Sequence, residues 1–403
     1  MGTKLTNAHI HIFNGDCAPD YFFKVALPAA LDPFADEIKA FIERKGVRWI
    51  IRKLSKKHGN SLFHKYLNFI EVGTQQSQGD IFRTVIENYK NLDPDMRFIA
   101  LTLNMDHMDI QHSGHYKIGA QLEEIEKLRA YYPNNLFPFI GVDPRHKSDE
   151  EMVNWVRMKI DKRAFFGIKL YPALGYFPFD KKLDLLYKWA EENEIPVMTH
   201  CTRSGSYYTG KMIQVIPQNR PASLNPQSSV MDSIYQRIDR FMGDKFTRED
   251  CKVGCNIFSN PENYIPILEK YPKLKLCLAH FGGGDELLKK QSKVVDKGID
   301  NLPFWDERIK DIMHKYPNVY TDISYTLYEK AALEKIKPML NEDIGKRILF
   351  GTDFFMTLRE DAEDLLWKNC LSNLTREKFE MLAGQNVDNY LRSKYYDPGM
   401  RFV

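Results

Sequence analysis

"KLTNAHIHIF", residues 4 to 13, is the stretch from which the fold is read. As a strand it sends alternate side chains to opposite faces, so Leu5, Asn7, His9 and His11 share one face while Ala8, Ile10 and Ile12 share the other. Both imidazoles then point the same way. Two neutral imidazoles converging from one strand can chelate a borderline divalent ion such as zinc. The same spacing also suits two polar strand residues facing water, so the motif decides nothing by itself.

Seven similar runs follow: "MRFIALTLNM" at 96 to 105, "LFPFIGVDP" at 136 to 144, "FFGIKLYPA" at 165 to 173, "IPVMTHCT" at 195 to 202, "LKLCLAHFGG" at 274 to 283, "NVYTDISY" at 318 to 325 and "RILFGTDFF" at 347 to 355. Segments between them, such as "GAQLEEIEKLRAYYP" and "KKLDLLYKWAEENEI", space apolar residues three and four apart as crossover helices do. Parallel strands need crossovers of this length, so the expected fold is α/β, a (β/α)8 TIM barrel.

With 403 residues the chain exceeds the roughly 250 of a minimal barrel. We expect one domain over 1–403, with long insertions after strands 1 and 5, residues 14–80 and 203–262, serving as lids or substrate walls at the end where a barrel carries its active site. The first insertion holds "EIKAFIERKGVRWIIRKLSKKHG", which reads as a basic amphipathic, solvated lid helix. No internal repeat or low-complexity segment is visible.

Lys plus Arg number 57 against 54 Asp plus Glu, a formal charge of +3 without a basic block, which gives no support to nucleic acid or an anionic membrane as partner. No signal-peptide pattern and no run of about 18 apolar residues is present, so a cytoplasmic protein is expected. Six scattered cysteines do not form a disulfide framework, and Cys251 with Cys255 has no second Cys/His pair nearby to complete a zinc site. A small-molecule substrate is the expected partner, and a homo-oligomer is compatible with the sequence.

The chemistry gathers at strand ends. His200 ends "IPVMTH", His280 ends "KLCLAH" and Asp353 ends "RILFGTD". Parity pairs Met198 with His200, Leu278 with His280 and Gly351 with Asp353, stacking small or apolar residues beneath polar ones. Gly282, Gly283 and Gly284 would let backbone approach the site. With His9 and His11, five ligand-type side chains converge on the ends of strands 1, 5, 6 and 8.

This order of residues resembles the amidohydrolase superfamily, and "YPKLKLCLAHFGG", "ILFGTDFF" and the closing "MLAGQNVDNYL" are similar to its amidohydrolase-related (family 2) branch, which includes hydrolases and non-oxidative decarboxylases. The resemblance implies that His9, His11, His200 and Asp353 bind a divalent metal, Zn2+ or alternatively Mn2+, with His280 beside it as a hydrogen-bonding or proton-transferring group. In binuclear members a carbamylated strand-four lysine bridges two ions. Lys169 stands at that place, and His200 and His280 would then hold the second ion. An uncarbamylated Lys169 would bind a substrate carboxylate or pair with Asp353. Tyr171 shares its face, and Arg203 lies three residues past His200.

From this resemblance the first expectation is a hydrolase of an amide, lactone or ester. A divalent ion lowers the pKa of a bound water from about 15.7 to about 7, Asp353 would take its proton, and His280 would stabilise the oxyanion or act as acid. The alternative is a decarboxylase of an aromatic or enol acid, whose carboxylate Lys169 and Arg203 would meet. The presence of Lys169 favours hydrolysis of the two. A catalytically inactive binding scaffold would be marked by a missing ligand, and none is missing. Paired tyrosines in "RSGSYYTGKM" suit lid packing or stacking on a substrate.

Overall fold

The computed structural model describes residues 4–18, 71–73, 75–108, 117–203, 248–290, 304–400 and 402. Each of the eight apolar runs contains a strand: β1 Thr6–Ile10, β2 Arg97–Ala100, β3 Phe139–Val142, β4 Gly167–Leu170, β5 Val197–Thr202, β6 Leu276–Gly282, β7 Val319–Asp322 and β8 Ile348–Leu349. β1 pairs parallel with β2, and β3 to β8 pair parallel in chain order. Isolated bridges join β2 to β3 at Phe98 with Leu136 and at Leu101 with Phe139. The seam between the last strand and the first is made by Ala8 N donating to Phe350 O at 2.8 Å, Asp353 N donating to His9 O at 2.8 Å, and a bridge from Ile10 to Phe354. The result is a barrel of parallel strands.

Crossover helices lie outside it: α1 Gln78–Tyr89, α2 Ile118–Tyr131, α3 Asp149–Asp161, α4 Asp184–Glu192, α5 Arg248–Ser259, α6 Ile265–Lys270, α7 Trp305–Lys315, α8 Lys330–Met339 and α9 Glu363–Asn373. Their starts are written locally. Ser77 accepts from Asp80 N, and Ser148 with Glu151 forms a reciprocal capping box. α5 takes up part of the second insertion and packs on β5, so that stretch belongs to the barrel wall. Residues 19–70 and 204–247, which include the segment expected to form a basic helix and the paired tyrosines, lie outside the described residues.

Two apolar layers follow from strand alternation. Ile168, Leu170, Val197, Leu276, Leu278 and Ile348 face the helices, while Ile99, Leu101, Phe139, Met198, Cys277, Ala279 and Leu349 fill the barrel. Val387, Tyr390 and Leu391, from the helix Asn386–Leu391, join the inner layer. Asn386 Nδ2 donates to the carbonyls of Gly345 and Ile348, tying that helix to the start of β8.

Two details depart from simple alternation. Asn7 pairs with Phe98 and Ile10 with Ala100, so three steps on β1 match two on β2. This is a β-bulge, in which Ala8 and His9 both face inward opposite Ile99. Asn7 therefore does not share the histidine face as the sequence pattern predicts. It points outward, bonded to Tyr89 and Glu363, while Ala8 lies in the inner layer. Likewise Leu278 belongs to the outer layer and not to the face of His280. His280 and Phe281 adopt φ of 70° and 49°, and this left-handed pair breaks the two-residue period and turns the imidazole inward.

Among the described residues no helix is long and apolar enough to cross a membrane. The described cysteines Cys17, Cys201, Cys277 and Cys370 are free and buried, Cys255 is buried, and the side chain of Cys251 is outside the described set. Phe139 is fully buried in the barrel, its ring flat against Gly167. Phe139→Ala should cost about 3–5 kcal/mol, read as a lower urea midpoint; a loss below about 1 kcal/mol would show that the barrel collapses around the gap.

Candidate metal centre

The bulge puts His9 at the carboxyl end of β1 with His11 two residues on, and the chain leaving β8 brings Asp353 across the seam. His9 Nε2 and His11 Nε2 are 3.3 Å apart, and Asp353 Oδ1 lies 3.6 Å from the first and 3.3 Å from the second. Ligand bonds of about 2.0–2.1 Å in a tetrahedral site place donors about 3.4 Å from each other, so these three atoms have the spacing of one metal face. Asp353 Oδ1 is buried and, beyond the two imidazoles facing it, has no hydrogen-bond partner among the described residues, as suits a candidate ligand oxygen.

The outer nitrogens of both imidazoles are committed elsewhere. His9 Nδ1 meets Asp322 Oδ2 at 2.8 Å, and His11 Nδ1 meets the Leu101 carbonyl at 3.0 Å. A carboxylate and a carbonyl can only accept, so each Nδ1 carries a proton, which in a neutral ring leaves the Nε2 lone pair facing inward. Asp322 Oδ1 accepts from His280 N at 2.9 Å and Ser324 N at 3.0 Å, and also from the Ser324 hydroxyl. Ser324 Oγ in turn lies 2.9 Å from His280 Nδ1 and 3.0 Å from His9 Nδ1. His9, His280 and Asp322 also converge closely enough to resemble a metal group. The 2.8 Å contact with Asp322 makes that side a hydrogen-bonded support layer instead. Asp322 and Ser324 were not singled out from the sequence, although "TDIS" ends a strand as the ligand motifs do.

His200 stands one imidazole away, its Nδ1 3.1 Å from His280 Nε2, and the His280 ring centroid is 4.8 Å from that of His9. Tyr171 meets the His200 ring edge-on at 4.5 Å. Lys169 is buried, pairs in register with Gly141 and Met198, and makes no ion pair or hydrogen bond among the described residues. Its Nζ lies 5.9 Å from the centroid of the Tyr171 ring. Arg203 has its charge matched: Nε is 2.8 Å from Glu286 Oε1, and the guanidinium stacks 5.0 Å from the Trp305 ring. Gly282 and Gly283 serve neighbouring loops, since a Cβ there would strike Asp306 N at 2.8 Å and Thr202 Oγ1 at 2.5 Å. The close approach to the centre is at Gly351, where a Cβ would lie 2.7 Å from His9 Cβ.

Burial dominates the electrostatics. It pushes His9 down to about 3 against the pull of Asp322, and lowers His280 as well. Burial would raise Asp353 and Asp322, but the surrounding imidazoles hold both carboxyls well below the usual range. Lys169 is pushed down to about 8, again by burial, with Asp322 and Asp353 opposing. Neutral imidazoles beside an ionised carboxylate make a donor set suited to a borderline divalent cation.

The family model described as Amidohydrolase matches residues 120–386, about two thirds of the chain. No curated protein sequence matches it. Among solved structures, an uncharacterised TIM-barrel protein from Bordetella bronchiseptica is similar at 13% identity and TM-score 0.51, covering 96% of this chain and 98% of that one. The 5-carboxyvanillate decarboxylase of Novosphingobium aromaticivorans, solved with manganese and 4-hydroxy-3-methoxy-5-nitrobenzoic acid, is similar at 11% and 0.51, covering 97% and 96%. The 5-carboxyvanillate decarboxylase LigW of Sphingomonas paucimobilis is similar at 9% and 0.51, covering 97% and 100%. At these identities the likeness establishes the barrel fold.

Gly351→Ala forces His9 to move, so divalent-metal affinity should fall about 10- to 100-fold, the scale of losses when groups supporting a ligand are disturbed. Isothermal titration with Zn2+ or Mn2+ checks this; wild-type affinity would mean that His9 is not a ligand.

Proposed function

Because the chain belongs to the amidohydrolase family, in its amidohydrolase-related (family 2) branch, we propose that it is a metal-dependent decarboxylase of a small aromatic or enol acid. The observation that carries this reading is Lys169, a buried amine facing the barrel interior that makes no ion pair or hydrogen bond among the described residues. Asp322 and Asp353 offset its burial only in part and make no ion pair with it, and a substrate carboxylate would supply a close partner. The manganese-bound decarboxylase of the same fold is consistent with it.

In this reading His9, His11 and Asp353 would hold the ion, with His200 and His280 beside that cluster. The ion would supply positive charge to polarise a substrate oxygen next to the scissile bond. Lys169 and Tyr171 orient the acid. As the bond to carbon dioxide breaks, its electron pair remains on the substrate carbon, which then takes a proton; His280, steadied by Ser324 and Asp322, handles that proton. The charge of Arg203 is matched by Glu286, so it shapes the mouth and leaves carboxylate binding to Lys169.

Hydrolysis of an amide, lactone or ester is the second reading, favoured by two features. An amine lowered to about 8 is uncharged often enough to add carbon dioxide, and His200 Nδ1 with His280 Nε2 at 3.1 Å has the spacing of a second ion's ligands.

Elemental analysis of protein purified without chelator separates the two. One ion per chain, lost in the His9→Ala, His11→Ala double variant, together with carbon dioxide release from hydroxybenzoic acids, supports decarboxylation. Two ions and a carbamate signal from 13C-bicarbonate would replace it with hydrolysis. Under decarboxylation Lys169→Met should lower kcat/KM about 10- to 100-fold, the loss of a charge-assisted hydrogen bond of about 1.5–3 kcal/mol. Only the protonated amine binds a carboxylate. The wild-type kcat/KM should therefore fall as pH rises through about 8, and a bound cation would move that limb lower. A flat profile there would remove Lys169 from substrate binding.

A further inference from the structure

We propose that Glu363 is a positioning residue for His9 and Asp353, acting through Asn7 and Thr352 from outside the barrel. This rests on the reading that His9 and Asp353 hold a metal ion. The bulge that turns His9 inward turns Asn7 outward, and Asn7 then spans the seam between β1 and the chain leaving β8. Its Oδ1 accepts from the backbone N–H of His9 at 3.2 Å and of Thr352 at 3.1 Å. One of these is a ligand residue and the other directly precedes a ligand, so a single amide oxygen ties the two together.

That arrangement works in only one orientation of the amide. A flipped Asn7 would face two backbone donors with its own NH2 group, leaving buried donors without acceptors. What holds it is an acceptor on the other side. Asn7 Nδ2 donates toward Thr352 Oγ1 at 2.7 Å, Tyr89 OH at 3.1 Å and Glu363 Oε1 at 3.2 Å. The same Glu363 Oε1 accepts from Tyr89 OH at 2.7 Å and from Thr352 Oγ1 at 2.7 Å. All four residues are buried, and Glu363 contributes the acceptor on which three donors converge from the first turn of α9. Without that oxygen the hydroxyls of Tyr89 and Thr352 lose their direction, Asn7 loses its reason to keep Oδ1 on the seam, and the 3.6 Å separation of His9 Nε2 and Asp353 Oδ1 is no longer held.

The test is a Co2+ titration of the full-length metal-free protein, followed by visible absorption and compared with thermal unfolding of the same variants. Glu363→Gln keeps an oxygen in place and should bind Co2+ within about threefold of wild type, with the same spectrum. Glu363→Leu should bind about 10- to 100-fold more weakly with an altered spectrum, the scale expected when support of a ligand is lost. A folded Glu363→Leu protein with wild-type affinity and spectrum, even at reduced thermal stability, overturns the proposal and leaves Glu363 a purely structural residue. If Glu363→Leu does not fold, Thr352→Val decides. It deletes the hydroxyl linking Asn7 to Glu363 at nearly constant shape, and it should weaken Co2+ binding and shift the spectrum; no change overturns the proposal. Failure of the wild-type protein to bind Co2+ would instead remove the metal reading itself.

Discussion

The hydrogen bond from Asp353 N to the carbonyl of His9 is the constraint on which the rest depends. It joins the last strand to the first, and it does so between two residues whose side chains point at one spot. A barrel must close somewhere, and here the closing seam is also the edge where the candidate metal ligands gather. Residues 344 positions apart in the chain are thereby held with donor atoms 3.6 Å apart. Chain leaving β8 reaches this geometry by departing from regular strand, with Asp353 at φ 64° and Gly351 small enough to sit against His9. Left-handed backbone at Asp353 and His280 costs of order 1–3 kcal/mol at each residue, a cost sustained by the hydrogen bonds around them.

Around that seam the charges are buried more deeply than a stable core would favour. Asp322, Asp353 and Lys169 are all nearly inaccessible, and among the described residues only Asp322 has a close set of hydrogen-bond partners. Burying unpaired charge opposes folding. The arrangement makes sense as a preorganised site: the carboxylate waits for a cation, the amine for an anion, and neutral imidazoles supply lone pairs between them. The support layer of Asp322 and Ser324 on one side and Asn7, Thr352, Tyr89 and Glu363 on the other keeps these groups from relaxing toward each other. Decarboxylation and hydrolysis would both draw on such a scaffold, and the two proposed readings differ in the state of one nitrogen, Lys169 Nζ.

The eight strands were legible because each is a short apolar run between turn-forming residues, and parallel pairing between long crossovers leaves few alternatives. The convergence of His9, His11 and Asp353 was legible because ligand-type residues at strand ends are rare by chance, and the three do meet as a candidate ligand group. Asp322 was passed over because an aspartate after "VYT" looks like any strand-terminating acid until the His9 ring is placed 2.8 Å away. The expected pairing of Asn7 with His9 failed for a reason invisible locally: a bulge is one extra residue against a partner strand that comes about ninety positions later. Leu278 and His280 failed similarly, since positive φ at His280 is maintained by contacts to Asp322 and Thr326 on the next strand and loop.

The amino-acid sequence by itself determined which residues could do chemistry and the order in which a barrel would present them, because residue type and strand period are local properties. Tertiary structure alone decided which face each side chain took, which nitrogen of each histidine was free, and which charges went unpaired. Those outcomes depend on register across the β1–β2 and β8–β1 seams and on burial, and both are properties of chain segments that meet only when the barrel closes.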